Sequence, residues 1–252
     1  MNHSAVIFFD IKQAFDSVWH EGLIYKLFDL KLPDYIIRWL ISFLSERTAA
    51  IELENLLSQT FGLKSGTPQG SPPSPLLYIL FTADSMDGLP FYTDHGLFAD
   101  DTALWTSCNT ASGLNRRLQE SMNVVARWCE ISKVTLQSSK TEMLHFSVHR
   151  RKQYKNQVQV IVGAATIRPQ AHARYLEVIY DKTLSWKEHV NHVKEKVNSK
   201  INLLRFLSRS IPESNDRIMV NLFKSLIRPV LTFGVSILLK AEHKIWQELQ
   251  TL

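Results

Sequence analysis

The sequence predicts an α+β fold in two parts, a mixed region over residues 1–182 and a helical region over 183–252. Three observations carry this. Ala5, Val6, Ile7, Phe8 and Phe9 form an unbroken apolar run, the pattern of a strand buried on both faces. Residues 96–105 are hydrophobic but interrupted midway by Asp100-Asp101, which reads as strand, acidic turn, strand. After Trp186 the apolar residues fall on helical stripes: Val190, Val193, Val197, Ile201, Leu204 and Leu207 on one, Ile218, Leu222, Leu226 and Val230 on another.

The elements follow in order. The first strand ends at Asp10. Leu23, Ile24, Leu27 and Phe28 recur at helical spacing. Pro33-Asp34 punctuates, and residues 35–44 read as a second helix with Asp34 as N-cap. Residues 48–53 read as a strand. Residues 64–75 are rich in Gly, Pro and Ser and form a loop, which opens into a helix beginning at 76–81. Leu114, Leu118, Met122, Val125 and Trp128 mark one face of a long helix. Residues 141–148 and 157–167 read as strands joined by the basic connector His149-Arg150-Arg151-Lys152, and 175–180 as a further strand.

The 252 residues are 45% hydrophobic and 21% charged, which excludes a disordered or fibrous chain. Two cysteines, Cys108 and Cys129, exclude a disulfide scaffold and a four-cysteine zinc site, and point to an intracellular, reducing compartment, nuclear or cytoplasmic. The apolar run at 230–239 is too short to span a bilayer, so no membrane association is expected. The net charge of +5 is uneven. Residues 1–139 hold ten basic and fifteen acidic side chains, a net −5, whereas 140–228 hold seventeen and seven, a net +10. Such a split suits cations at the front and a polyanion at the back.

Two features carry chemistry. Asp10 ends a buried strand and Asp100-Asp101 occupy a hairpin turn. Adjacent carboxylates repel unless a cation neutralises them. Three on neighbouring strand ends make an oxygen site for Mg²⁺, and two such ions can clamp an in-line phosphoryl transfer. The second feature runs from Ser65 through Gly66-Thr67-Pro68-Gln69-Gly70 to Pro75. Its glycines permit close backbone approach, its prolines stiffen it, and Gln69 is able to bond a sugar or base edge; a purely structural loop has the same composition. A phosphatase of the haloacid-dehalogenase type would need a second Asp two residues after Asp10, where Lys12 stands.

Taken in order, Phe8-Phe9-Asp10-Ile11-Lys12-Gln13-Ala14-Phe15-Asp16, then Gly66 to Pro75 with Tyr78, then Phe98-Ala99-Asp100-Asp101, resemble the polymerase palm of reverse transcriptases. More narrowly they resemble those of non-LTR, LINE-like, jockey-type retrotransposons. Trp128 with Ser139-Lys140-Thr141-Glu142 resembles the fourth palm motif. Tyr175-Leu176-Glu177-Val178-Ile179-Tyr180-Asp181 resembles the primer grip, and Ile227-Arg228-Pro229-Val230-Leu231 a thumb segment.

The resemblance implies an RNA-directed DNA polymerase with an RNA template, a DNA primer and deoxynucleoside triphosphates as partners. Its fold would be a palm, an antiparallel sheet with packed helices, followed by a helical partial thumb. Asp10, Asp100 and Asp101 would hold two Mg²⁺ ions, or Mn²⁺, with the Ile11 carbonyl as a further ligand. Phe15 would be the ring that excludes a ribose 2′-OH. Gln69 and Gly70 would line the nucleotide and template pocket, and Lys140 would protonate the pyrophosphate leaving group. Asp16 is read as a structural acceptor. Lys187, Lys194, Lys196, Lys200, Arg205 and Arg209 are read as a phosphate-tracking helix face. His189 and His192, three apart, lack partners at metal-ligand spacing and are read as surface or interface residues.

The chain departs from the family at Pro73 for Leu, Gln137 for Asn, and Glu177 for Gly, where a carboxylate would repel phosphate. The resemblance begins almost on its first aspartate. A copy lacking the N-terminal fingers, active only weakly or not at all by itself, is therefore expected. The alternative is a remnant that binds nucleic acid without turnover.

Overall fold

The computed structural model describes residues 3–147, 158–210 and 216–240. The connector His149-Arg150-Arg151-Lys152 and the predicted strand ends at Val148 and Gln157 lie outside the described residues. The elements are β1 (His3–Phe9), α1 (His20–Asp29), α2 (Asp34–Leu44), β2 (Thr48–Ala49), β3 (Glu52–Leu53), β4 (Leu56–Leu57), β5 (Phe61–Gly62), α3 (Pro73–Thr82), β6 (Thr93–Phe98), β7 (Asp101–Cys108), α4 (Ala111–Ile131), β8 (Glu142–Ser147), β9 (Val160–Val162), β10 (Ala165–Ile167), β11 (His172–Tyr175), β12 (Val178–Asp181), α5 (Lys187–Ser210), α6 (Asp216–Leu222) and α7 (Arg228–Thr232). They divide into two compact units, Met1–Pro169 and Gln170–Leu252.

The first unit is built on an antiparallel sheet of order β6-β7-β1-β8, with β1 in its interior. That position explains the unbroken apolar run. Ala5, Ile7 and Phe9 enter the main core, and Phe8 is buried as well. Leu114, Leu118, Met122 and Val125 of α4 meet Leu23 and Leu27 of α1 and Leu77 and Phe81 of α3 in the same core. Helix α4 begins where the Thr110 hydroxyl accepts the Gly113 N–H at 3.1 Å. A cationic tie links three helices. Lys26 Nζ donates to the Phe81 carbonyl at 2.6 Å, pairs with Asp84, and lies 4.9 Å and 5.1 Å from the centres of the Phe81 and Trp128 rings. Asp84 also accepts the Trp128 indole N–H at 2.9 Å.

Several predicted boundaries move. Asp34 is the first helical residue, with Pro33 before it and no side-chain cap; its carboxylate still favours the positive end of the helix. Helix α3 starts three residues earlier than expected, at Pro73, because proline is tolerated in a first turn where the N–H has no partner. The strand expected at 48–53 is one side of a small ladder, β2 with β5 and β3 with β4, turning at Glu54 and Asn55, both left-handed with φ 49° and 66°. The strand expected at 157–167 folds back on itself as β9 and β10, turning at Gly163 with φ 60°.

In the second unit, the single strand expected at 175–180 is instead a hairpin, β11 against β12, with Leu176 and Glu177 as its two-residue turn. Both take positive φ, 47° and 64°, as a turn matching the strand twist requires. Glycine would be natural there. Glu177 is held by Arg174 and by Lys196 at 3.2 Å, which keep its carboxyl below the ordinary carboxylate range. The carboxylate expected to repel phosphate is thus matched by two cations.

The hairpin belongs to the helical unit, so the division falls before it, at 169/170, and not near Lys182-Thr183. Val178 packs with Trp186, Val190 and Leu238, while Val193 and Val197 pack with Ile227. Asp181 forms the corner into α5. Its buried carboxylate accepts the backbone N–H groups of Thr183 (2.8 Å), Ser185 (2.8 Å) and Trp186 (3.0 Å), as well as the Thr183 and Ser185 hydroxyls. Burial pushes this carboxyl up, but the accepted hydrogen bonds outweigh it and hold the group below its ordinary range.

Candidate active site

The sheet register assembles the acidic edge. Phe9 faces Thr102 across the β1–β7 ladder, so one step further Asp10 comes opposite Asp101. On the other side the β1–β8 ladder ends at Phe8 and Glu142, and the helical turn Ser138–Lys140 just before β8 brings the Lys140 side chain to Asp10. Phe98 pairs with Asp101, leaving Ala99 and Asp100 as the two-residue hairpin turn. Ala99 takes φ 53°, a left-handed conformation costly for a residue with a Cβ, and it sets Asp100 at the turn's tip.

Asp10 is only 17% exposed on its side chain, and its Oδ2 lies 2.9 Å from Lys140 Nζ. Its Oδ1 is buried without a protein partner. The Lys140 ammonium is held above its ordinary range, first by the hydrogen bond and charge of Asp10, then by the charges of Asp100 and Asp101. One cation therefore feels all three carboxylates. Among the described residues no group of three or more His, Cys, Asp or Glu is close enough to enclose a metal ion. The donor set still fits a hard divalent cation. It is all oxygen, and Asp10 Oδ1 is a buried acceptor with nothing to accept from.

Ile11 forms an isolated bridge with Leu136, framed by Lys12 N–H to the Thr135 carbonyl and Gln137 N–H to the Asp10 carbonyl, both 2.9 Å. In that arrangement the N–H and C=O of Ile11 itself are not used by the ladder.

The Gly-Pro loop is fastened to the segment after Asp10. Gly66 N–H donates to the Val18 carbonyl and Thr67 N–H to that of Phe15, each at 2.9 Å. The Ser65 hydroxyl donates to the Asp16 carbonyl at 3.0 Å, and Gln69 Nε2 to the Asp16 carboxylate at 3.2 Å. Asp16 is thus an acceptor that orients the loop. His20 Nε2 (2.8 Å) and Arg47 Nη1 (2.6 Å) both meet the Gly66 carbonyl. A Cβ on Gly66 would sit 2.8 Å from Asp16 Cα, and its φ is 86°. Gly70, at φ 81°, has open space around it. Gln69 and Gly70 are both exposed.

Phe15 is half-buried, its ring centre 4.8 Å from that of Tyr78. The Tyr78 hydroxyl is buried without a partner, and burial, then the charges of Asp100 and Asp10, push its pKa up. It stays protonated beside the acidic edge. Tyr78 carried no role in the sequence reading, nor did His20, Arg47 or Thr67. Thr67 and Tyr78 stood within the motifs, but nothing local gave any of the four a role, because their contacts are long-range.

The basic residues of α5 are not brought onto one face. At 100° per residue, Lys187, Lys194, Arg205 and Arg209 border the apolar stripe on one side and Lys196 and Lys200 on the other. Lys196 pairs with Glu177, and Lys200 donates to the Leu226 carbonyl at 2.9 Å. Lys187, Arg205 and Arg209 are exposed. His189 is not a surface residue but 2% exposed, because Val178, Trp186 and Val190 form a core around that turn of α5. Among the described residues no helix is long and apolar enough to cross a membrane.

Residues 2–204 match the family model described as reverse transcriptase (RNA-dependent DNA polymerase). The chain is 28% identical over 236 aligned residues to the "RNA-directed DNA polymerase from mobile element jockey" of Drosophila melanogaster, covering 91% of this chain and 25% of that protein. It is 28% identical over 257 aligned residues to the "Probable RNA-directed DNA polymerase from transposon BS" of the same organism, covering 98% of this chain and 28% of that protein. The chain thus spans about a quarter of the length of these curated relatives. Among solved structures, apo telomerase from Candida tropicalis is similar in fold, with a TM-score of 0.50 at 14% identity, covering 99% of this chain and 46% of that one.

Proposed function

This chain belongs to the reverse transcriptase (RNA-dependent DNA polymerase) family, and from that premise we propose that it is the palm-bearing part of a non-LTR retrotransposon polymerase, extending a DNA primer along an RNA template. The observation that carries this is the register that sets Asp10 opposite Asp101, beside the Asp100 turn, with Lys140 paired to Asp10. The curated relatives are named as polymerases, so the non-catalytic alternative is not favoured.

The family works with divalent metal. Asp10, Asp100, Asp101 and the Ile11 carbonyl are the groups proposed to hold two Mg²⁺ ions, which would activate the primer oxygen and neutralise charge on the phosphates. The remaining roles fall to the chain itself. The primer 3′-hydroxyl loses its proton to solvent as its oxygen attacks the α-phosphorus of a deoxynucleoside triphosphate, and the bond to pyrophosphate breaks. Lys140, kept charged by Asp10, donates its proton to the leaving pyrophosphate. Phe15, backed by Tyr78, offers a ribose 2′-OH no partner and no room. Gln69 and Gly70, exposed on the fastened loop, line the nucleotide and template pocket. In the helical unit Lys187, Lys194, Arg205 and Arg209 contact backbone phosphates. Cys108 and Cys129 carry free thiols, in keeping with the reducing interior of a cell, where the chain is proposed to act.

The test is primer extension on an RNA template with Mg²⁺ or Mn²⁺. Slow extension that Asp100→Ala abolishes is expected. No product with either metal, or product unchanged by that substitution, overturns the proposal.

A further inference from the structure

The ladder of β2, β3, β4 and β5 is an arm that the polymerase reading does not use. Every residue from 50 to 62 is exposed, on both faces of the hairpin. Ile51, Leu53, Leu56 and Leu57 are 63–75% exposed. Leu53 pairs with Leu56, and cross-strand partners share a face. Ile51 lies two residues before Leu53, with Ser58 opposite. The Ser58 N–H donates to the Ile51 carbonyl and Ser58 Oγ accepts the Ile51 N–H, both at 2.9 Å. Ile51, Leu53 and Leu56 thus make one apolar face, and Glu52 with Leu57 the reverse. Exposed apolar surface of the order of several hundred Å² marks a contact in folded proteins. A two-stranded hairpin alone is only marginally stable in water, so a cover on this face would also hold the arm.

Charge selects the cover. Between Arg47 and Lys64 the arm holds Glu52 and Glu54 and no basic side chain. A second arm is a poor cover, because it would bring like carboxylates together. The complement is on α5. From Lys196 to Ser210 that helix has no acidic residue. Near its end Leu203 and Phe206 are exposed beside the exposed Arg205 and Arg209. At 100° per residue, Phe206 and Arg209 lie on the side turned away from Val193 and Val197, which pack inward.

We propose that the arm of one chain docks on the C-terminal end of α5 in a second copy, with Leu53 and Leu56 against Leu203 and Phe206, and Glu52 and Glu54 toward Arg205 and Arg209. The two patches are unlike, so a two-fold pair makes the contact twice. One such contact is small beside the roughly 800 Å² per partner of a stable interface, and two made reciprocally approach it. Arg205 and Arg209 are also proposed to meet backbone phosphate, so nucleic acid would compete with the second copy for them. The inference stands on these two surfaces and does not need the catalytic reading.

The test is sedimentation equilibrium of the full chain, free of nucleic acid, over a range of protein concentrations. A monomer–dimer equilibrium is expected. Leu53→Ser with Leu56→Ser is expected to raise its Kd about tenfold or more, with circular dichroism verifying the fold. Glu52→Arg with Glu54→Arg is expected to weaken association similarly, and so is Arg205→Glu with Arg209→Glu. All four charge changes in one chain are expected to restore it, since the pairing is recreated with its signs exchanged. A chain that stays monomeric at every concentration leaves the arm to a different partner and overturns the inference. So does a dimer unaffected by the leucine changes, which moves the contact to another apolar face, or a fourfold charge variant that associates no better than either pair alone.

Discussion

Lys140 Nζ lies 2.9 Å from Asp10 Oδ2, just beyond the end of the β1–β8 ladder, although 130 residues separate them in sequence. The contact couples the group proposed to protonate the leaving pyrophosphate to a carboxylate proposed to bind metal. Lys140→Ala is expected to lower the rate of extension about a hundredfold while leaving primer–template affinity nearly unchanged. Lys140→Arg is expected to restore the ion pair but not the rate, since guanidinium does not give up its proton. Single-turnover kinetics with a preformed complex separates the two, and a lost affinity with an unchanged rate would remove Lys140 from proton transfer.

The Phe15–Tyr78 contact predicts two different phenotypes from one position. Tyr78→Phe removes a buried hydroxyl without a partner and keeps the ring, so stability is expected to hold or rise by about 1 kcal/mol. Tyr78→Ala leaves a cavity behind Phe15 and is expected to cost about 3–5 kcal/mol and to raise ribonucleotide incorporation. Denaturant titration checks the first. The ratio of deoxynucleotide to ribonucleotide incorporation checks the second, with Phe15→Ala as the reference for full loss of discrimination.

Gly66 and Gly70 both take positive φ, yet their substitutions are expected to differ. Gly70→Ala meets open space and is expected to cost about 1 kcal/mol for the backbone alone. Gly66→Ala meets Asp16 Cα at 2.8 Å, and the clash with backbone is expected to raise the cost to about 3 kcal/mol or more. Equal unfolding midpoints for the two variants would contradict this account of the loop.

Asp181 sets a lower pH limit for the helical unit. Its folded pKa is depressed, so the stability it contributes is fully present above the ordinary carboxylate range and is lost as pH falls through the depressed value. Asp181→Asn is expected to remove that acid-side dependence, and Asp181→Ala to cost about 3 kcal/mol at neutral pH. Thermal unfolding of wild type and variants across acidic pH measures both.

The two borders of α5 should respond differently to salt. Replacing Lys187 and Arg209 together with Ala is expected to lower the salt dependence of nucleic-acid binding by about 2 in the slope of log K against log salt, and to leave stability unchanged. Replacing Lys196 and Lys200 removes internal contacts to Glu177 and the Leu226 carbonyl, so stability is expected to fall with little change in slope. Salt-titrated binding isotherms and melting curves distinguish the pairs.

Local patterning carried far, and its failures have a common cause. The run from Ala5 to Phe9 was readable as a buried strand because β1 lies inside the sheet with Ala5, Ile7 and Phe9 in the core and Phe8 buried, and the α4 stripe because one face meets the core. The hairpin at Leu176 and Glu177 was not readable, since neither residue carries the usual signature of a left-handed turn. Its compensation comes from Arg174 and from Lys196, a helix away. His189 was misplaced for the same reason. Its burial depends on Val178 and Trp186, which periodicity along α5 does not report.

By itself the sequence determined the α+β class, the order of the acidic motifs around Asp10, Asp100 and Asp101, and the Gly-Pro loop, because these depend on residues close together in the chain. Tertiary structure alone decided which residues meet across the sheet and between elements: Asp10 with Lys140, Phe15 with Tyr78, and Gly66 with Asp16. Those pairings rest on strand register, in which a shift of one residue turns every side chain to the opposite face, and on helix packing, in which it turns them by about 100°.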